Sequence, residues 1–312
     1  MPTVSVIMSV YNGRRYLEES IDSVLKQQFG DFEFLIHDDG STDNTAEIVQ
    51  AKKDARIKFS RAEQNQGLFP ILNKLIAQAN GKYIRLWSYD DIMKPHCLAA
   101  MVEFYERRPE AGFCYCARDS IDASGKITPC EREEKTPTII SPEIAAQIML
   151  YYGCIAGNIS TVMIKKAILD EMQGFRDQLC QSADFDMWVR ITEKYPIGFI
   201  RQPLIFLRTH PAQFSRWNKA ILDMMKQNYP IYETLLKRMP AELTSYARQY
   251  LNRRLYVQYF RYMISSIAKG QLSTASAIFG ELRKQKKTFY LFWLWLATLG
   301  GRIFMPRPKF ND

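Results

Sequence analysis

The passage Phe34-Leu35-Ile36-His37-Asp38-Asp39-Gly40-Ser41-Thr42-Asp43 constrains this chain more than any other. A short apolar run stops abruptly at paired carboxylates, a glycine and small polar residues. Runs of this kind suit strands buried on both faces of a parallel sheet. The Asp-Gly-Ser-Thr that follows has the chemistry of a turn opening a helix. Open α/β sheets bind ligands outside the carboxyl ends of their strands. Two acids at such an end therefore point to a polar ligand or a cation; taken locally, they are a solvated turn with a helix cap.

The same arrangement returns at Tyr83-Ile84-Arg85-Leu86-Trp87, which ends at Ser88-Tyr89-Asp90-Asp91. Around these runs, strand and helix alternate. Residues 4–10, 32–37 and 56–60 read as strands. Residues 16–28 have helical spacing, with Leu17, Ile21, Val24 and Leu25 on one face. Residues 42–53 and 68–79 also read as helices, the second with Pro70 near its start, where proline is tolerated, and Gly81 as its C-terminal cap. This alternation predicts an α/β fold with a mainly parallel central sheet and helices on both faces. In a doubly wound sheet, strand ends on one side converge, so the two acid pairs are expected to share one crevice.

Farther along, residues 95–107 read as a helix, 113–118 as a strand, 122–125 as a turn and 126–142 as a surface loop. A helix over 144–152 and a strand reaching Ile164 follow. Then come a helix over 184–194, with Phe185, Trp188, Val189 and Ile191 for its buried face, and a strand over 197–208. From residue 216 the composition shifts to helical patterns rich in Tyr, Met and Arg, over 217–236, 242–268 and 272–286. The run 289–299, Phe-Tyr-Leu-Phe-Trp-Leu-Trp-Leu-Ala-Thr-Leu, is short of the about 20 apolar residues a membrane span needs. Its basic flanks suit an interfacial helix, and packing on protein is the alternative. The expected organisation is a domain over 1–215 and a helical region over 216–312.

A chain of 312 residues with 47% hydrophobic and 24% charged residues is an ordinary globular protein. Its net charge of +9 favours anionic partners such as nucleotide phosphates or lipid head groups. No nucleic-acid-binding motif accompanies that charge. The six cysteines form no C-x-x-C pair and no zinc-like spacing with histidine, which argues against structural zinc. They suggest buried free thiols in a reducing compartment. The N-terminus has no signal-peptide pattern, so a cytoplasmic location is expected.

Several motifs in order make residues 2–215 resemble a family 2 glycosyltransferase of the GT-A fold. They are Val4-Ser5-Val6-Ile7-Met8-Ser9-Val10-Tyr11-Asn12, Asp38-Asp39-Gly40-Ser41-Thr42-Asp43, Asn65-Gln66-Gly67, Ala79-Asn80-Gly81-Lys82-Tyr83-Ile84 and Tyr89-Asp90-Asp91. Gly157-Asn158, Gly174-Phe175, Asp184-Phe185-Asp186-Met187-Trp188-Val189-Arg190 and Leu207-Arg208-Thr209-His210 continue the series. The resemblance implies an inverting transfer of a sugar from a nucleotide donor, by family precedent a UDP-sugar, to a hydroxyl of a glycan or lipid-linked acceptor.

It also implies roles. Ser9, Tyr11, Asp38, Asp39 and Asp90 would lie on the nucleotide-sugar, Tyr11 offering its ring to the base. Asp91 would bind Mn2+ or Mg2+, with His210 approaching the metal or the diphosphate, or else packing. Asp184 would be the general base, and an N-cap on its helix at the same time. Asp186 and Arg190 form an i,i+4 pair, Arg208 pairs with phosphate or with an acid, and Gly157-Asn158 and Gly174-Phe175 shape the acceptor side.

The chain departs from the family pattern at Ser88, where an acid is common, at Ala183, where Glu is common, at Ser9, where Pro is common, and at Leu72, where Arg is common. No Gln-x-x-Arg-Trp sequence marks a processive synthase, so transfer of one sugar is expected. Two other readings compete: a sugar-nucleotide pyrophosphorylase, which lacks its Gly-rich loop here, and a catalytically silent binding scaffold, which Ser88 and Ala183 favour. An anionic membrane surface and an oligomer are possible partners.

Overall fold

Every residue of β1 (Val4–Val10) is buried except Ser9, which is partly so. The strand is covered on both faces, which is why it reads as an apolar run without alternation. β1 lies between β2 (Phe32–Asp38) and β4 (Tyr83–Ser88), parallel to both. β3 (Ile57–Arg61) adds outside β2, also parallel, and its polar positions mark it as an edge. The register sets Ser9 level with His37 and Ser88, and Val10 level with Asp38. These strands therefore end together, and their acids emerge along one edge. The computed structural model describes residues 1–128, 136–211, 213 and 218–285. Cys130 and the apolar run 289–299 lie outside them.

The connecting helices are α1 (Leu17–Leu25), α2 (Thr45–Ala51) and α3 (Leu68–Gln78). Leu17, Ile21 and Val24 of α1 join Val6, Met8, Phe34, Ile36 and Trp87 in the core on one face of the sheet. Phe69, Ile71, Leu72, Leu75 and Ile76 of α3 are buried against β1 and β2 on the other. The helices are shorter than their periodicity predicts, because neighbouring side chains take the terminal backbone for other bonds. Past α1, the Gln27 amide donates to the Ser23 and Lys94 carbonyls and accepts from the Leu98 N–H. Before α2, the Thr42 N–H donates to the Asn12 side chain, and the Asp43 carboxylate accepts from the Thr45 N–H and hydroxyl.

Gly81 is not the expected helix cap. Its φ is not in the left-handed region. A Cβ there would instead lie 2.4 Å from the Ser5 nitrogen, so glycine is needed for close approach to β1.

The sheet continues from β4 through β9 (Val162–Lys165), β6 (Phe113–Ile121) and β10 (Ile197–Arg208) to β5 (Ile92–Met93). β9 runs antiparallel to its neighbours, β10 runs parallel to β6, and β5 pairs antiparallel with β10. α4 (Cys97–Arg107), α5 (Pro142–Tyr152), α6 (Lys166–Glu171) and α7 (Ala183–Ile191) complete this half. The expected loop over 126–142 contains two-residue strands at both ends, β7 (Ile127–Thr128) and β8 (Ile139–Ile140). Strands that short carry no periodic signal, and the six-residue α6 escapes for the same reason.

The chain divides into two units. One comprises Met1–Ala145 and Cys154–Pro211; the other takes Ala146–Gly153 and the chain after Pro211. The second contains α8 (Asn218–Lys237), α9 (Ala241–Ala268) and α10 (Leu272–Gln285). It includes the end of α5 because Tyr151 packs edge-on against Tyr250, 5.1 Å between rings, and Arg254 donates to the Leu150 carbonyl at 3.2 Å. Among the described residues, no helix is long and apolar enough to cross a membrane. Cys97, Cys114 and Cys116 are buried free thiols, as expected, but Cys180 is exposed.

Candidate functional site

Two loops close the carboxyl end of β1 and β2. Asn12 adopts a left-handed conformation, φ +52°, which asparagine tolerates better than most residues. Its N–H donates to the Ser41 hydroxyl at 2.8 Å, its side-chain oxygen accepts from the Thr42 N–H at 2.9 Å, and the Gly13 N–H donates to the Thr45 hydroxyl at 2.9 Å. This stitching leaves the ring of Tyr11 exposed, at 38%. Ser9, next to last in β1, is partly buried.

The first acid pair is held from within. Asp38 is fully buried; its carboxylate accepts from the Ser41 N–H at 3.0 Å and lies 3.1 Å from Nε of Arg61. The Asp39 carboxylate accepts from the N–H groups of Gln66 and Gly67, both at 2.9 Å. The Asn65-Gln66-Gly67 motif is thus the partner of Asp39, and α3 starts from that contact.

The second pair meets β10. The Asp91 carboxylate is buried and accepts from the Arg208 N–H at 2.9 Å, while its other oxygen is buried without a hydrogen-bond partner. Burial, then the adjacent Asp90 carboxylate, push Asp91 up to about 8, against the pull of Ser160 and Arg208. Asp90 lies 3.0 Å from Nε2 of His210, whose ring packs on Tyr16 at 4.9 Å. The Arg208 guanidinium sits over the Tyr16 ring and pairs with Glu19 at 2.6 Å. It also donates to the carbonyls of Asp90 and Asp122. Of the two expected roles for Arg208, pairing with an acid is the one its geometry fills.

Asp184 lies in the first turn of α7. It keeps some solvent access, yet protein packs closely around its carboxylate. Burial pushes it up to about 6, against hydrogen bonds from the backbone N–H groups of Phe185 and of Asp184 itself. The thiol of Cys154 lies close enough to be raised by that carboxylate as well as by its own burial. From Cys154 the chain runs through Gly157, φ +70°, to Ser160, whose hydroxyl accepts from the Ser88 N–H at 3.2 Å beside Asp91. One short segment therefore borders both Asp184 and the second acid pair. The Asp186–Arg190 pair is present, 2.8 Å, and Arg176 joins it.

The donor atoms suit a hard divalent cation. Asp90 and Asp91 repel each other, one buried carboxylate oxygen lacks a partner, and the nitrogen of His210 stands beside them. Among the described residues no three acidic, histidine or cysteine side chains make a complete cage, so ligand oxygens and water would finish the coordination. Sequence reasoning does not single out Tyr16, Glu19, Cys154 or Ser160. Their contacts span long stretches of chain and leave no local signature.

A family model described as Glycosyl transferase family 2 matches residues 5–170. TuaG of Bacillus subtilis, named as a candidate teichuronic acid biosynthesis glycosyltransferase, is 31% identical over 199 residues, 62% of this chain and 73% of TuaG. Among solved structures, residues 1–349 of TarS from S. aureus, in complex with UDP, superpose with a TM-score of 0.57 at 16% identity, over 92% of this chain and 93% of that one. The mannosyltransferase PcManGT from Pyrobaculum calidifontis, in complex with GDP-Man and Mn2+, gives a TM-score of 0.58 at 16% identity, over 96% of this chain and 87% of that one. These two likenesses are of fold.

The bonds at Asp39 yield a stability prediction. Asp39→Ala strands the Gln66 and Gly67 N–H groups and is expected to cost about 2–4 kcal/mol. Asp39→Asn keeps one acceptor and should cost less. Urea denaturation of the three proteins checks the order.

Proposed function

This chain belongs to glycosyltransferase family 2, and on that footing we propose that it transfers one sugar, with inversion, from a UDP-sugar to a hydroxyl of a glycan or lipid-linked acceptor. The observation that carries the reading is the meeting of Asp38-Asp39 and Asp90-Asp91 at one edge of the parallel strands, with the exposed Tyr11 ring at the same edge. A nucleoside diphosphate needs an aromatic face, hydrogen-bond acceptors for its base and ribose, and charge neutralisation at its phosphates. Tyr11 offers the first and Asp90 stands at the same edge; Ser9, Asp38 and Asp39 belong to the nucleotide side in this reading, with Asp38 and Asp39 buried behind the edge and shaping its loops. A relative named for teichuronic acid biosynthesis supports placing the reaction in polysaccharide synthesis.

Asp184 is the base in this reading. The acceptor hydroxyl gives its proton to the Asp184 carboxylate as its oxygen bonds to the anomeric carbon. The bond from that carbon to the diphosphate oxygen breaks, and its electron pair leaves with UDP. A carboxylate raised toward neutrality by burial binds that proton better than an ordinary one. Asp90 and His210 would hold Mn2+ or Mg2+, with Asp91 behind them. When bound, that cation supplies neutralisation for the negative charge of the departing diphosphate. The family resemblance makes Asp91 the direct ligand; we assign the outward place to Asp90 because Asp91 is only 1% exposed and one of its oxygens is engaged by the Arg208 N–H.

Calorimetric titration of UDP, GDP and their sugars, with and without Mn2+, tests the donor site. Metal-dependent binding of a uridine compound is expected, weakened at least roughly tenfold in Asp90→Ala, the scale of a lost metal contact. Absence of binding to every nucleotide would favour the silent scaffold. Turnover tests the base. Since Asp184 must be ionised to accept a proton, kcat should rise with pH and level off above about 6, and Asp184→Asn should lose it. A kcat flat through that range excludes Asp184 as the base.

We further place the enzyme at the cytoplasmic face of a membrane. The net charge of +9 and the basic flanks of residues 289–299 support contact with anionic lipid. Flotation with phosphatidylglycerol vesicles is expected to carry the protein upward, and vesicles of neutral lipid are not. Equal behaviour with both removes this part of the reading.

A further inference from the structure

We propose that Asn73 is a positioning residue for Asp184: by clamping residue 175 from α3, it sets where the first turn of α7 lies. The clamp is a matter of geometry, and only its meaning in turnover rests on Asp184 being the base.

Asparagine is a poor residue for a helix interior, because its amide competes for nearby backbone. In α3 that amide is used at long range instead. Nδ2 of Asn73 donates to the Phe175 carbonyl, and its Oδ1 accepts from the Phe175 N–H, both at 2.8 Å. Both polar groups of one residue's backbone are held by a single side chain, which fixes its orientation as well as its distance.

The adjacent loop is built for this contact. Gly174 has φ +72°, and a Cβ there would lie 2.5 Å from Oδ1 of Asn73. Glycine is therefore required both by conformation and by approach. Arg190 closes the loop from the other side, donating to the Met172 carbonyl at 2.7 Å and the Gly174 carbonyl at 3.0 Å. The loop leads directly into Arg176, which donates to one oxygen of Asp186 at 2.8 Å, while Nε of Arg190 donates to the other at 2.8 Å. Asp186 is buried and two positions beyond Asp184, so the two acids point to opposite sides of α7. One anchors the helix and the other is left for chemistry. The ring of Phe175 bridges the same two helices, 5.3 Å from Phe69 of α3 and 6.3 Å from Trp188 of α7.

The first turn of α7 is packed in the core, with Ala183, Phe185 and Met187 buried, but it lacks a side-chain cap. Ser182, at its N-cap, makes no capping bond, and its buried hydroxyl has no partner. The network from Asn73 instead ties this turn to α3 through residue 175 and the Arg176–Asp186 pair. Asn73 lies in the middle of α3, the helix that follows directly on Gln66 and Gly67, whose N–H groups bind Asp39, so one helix touches both halves of the site.

The test is titration of the Asp184 carboxylate by NMR in protein labelled with 13C-aspartate, the signal assigned by Asp184→Asn. Wild type should titrate near 6. In Asn73→Ala the loosened turn admits water, and the midpoint should fall by about one unit toward the ordinary carboxylate range. The affinity for UDP with Mn2+ should stay within roughly twofold, since Asp39 and its N–H partners are untouched. Arg176→Met, at a half-exposed side chain, should move the midpoint in the same direction by less, and it decides the matter if Asn73→Ala does not fold. Unchanged midpoints in the folded variants overturn the proposal. So does a parallel loss of UDP affinity, which would make Asn73 a general packing residue. Should Asp184→Asn still turn over donor, the base assignment falls while the clamp, read by titration, stands.

Discussion

A single buried guanidinium holds the second acid pair in place. The side chain of Arg208 is 3% exposed, and taking it out of water is costly unless its donors are met. They are met from separate parts of the chain: Glu19 in α1, the Asp90 carbonyl after β4 and the Asp122 carbonyl after β6. Its backbone N–H binds Asp91, and its charge lies over Tyr16, the ring that also supports His210. Strand ends that come together only in three dimensions are thereby tied to one point. This engagement has a chemical consequence. The charge of Arg208 is balanced by Glu19 and by the carbonyls, so neutralisation of a bound diphosphate rests, in our reading, on a cation at Asp90 and His210.

The first half of the sheet is legible in the sequence because its signals are local. A strand buried on both faces must be apolar throughout, and β1, β2 and β4 announce themselves in that way. An acid pair that ends such a strand is read from consecutive residues, so the order of residues alone assigns Asp38-Asp39 and Asp90-Asp91 to one edge. Parallel register then brings them level, as it must when strands of similar length begin together.

The remainder depends on contacts distant in sequence. Whether α1 continues past Leu25 is decided by the Gln27 amide, which prefers carbonyls and an N–H from another segment. A glycine after a helix commonly caps it, and Gly81 fits that pattern, yet its role is set by the backbone of Ser5, 76 residues away. The relative roles of Asp90 and Asp91 are equally hidden. Adjacent acids look alike in sequence, and only the path of β10 decides which of them is covered. Tyr16 gives no hint of His210, and Asn73 gives none of Phe175.

The acids of the site show how environment separates like residues. Asp39 meets two backbone N–H groups of a distant loop, which bind that loop to it. Asp91 has one backbone N–H and a like charge beside it, and burial with that charge makes ionisation difficult. Asp184 has burial and only local backbone donors, with no cation among the causes of its shift. A nearby arginine would hold it ionised at a low value and make it a poor proton acceptor. The network of α7 instead spends its two arginines on Asp186, on the opposite side of the helix. The separation is what lets one short helix be anchored by charge on one side and keep a carboxylate of raised proton affinity on the other.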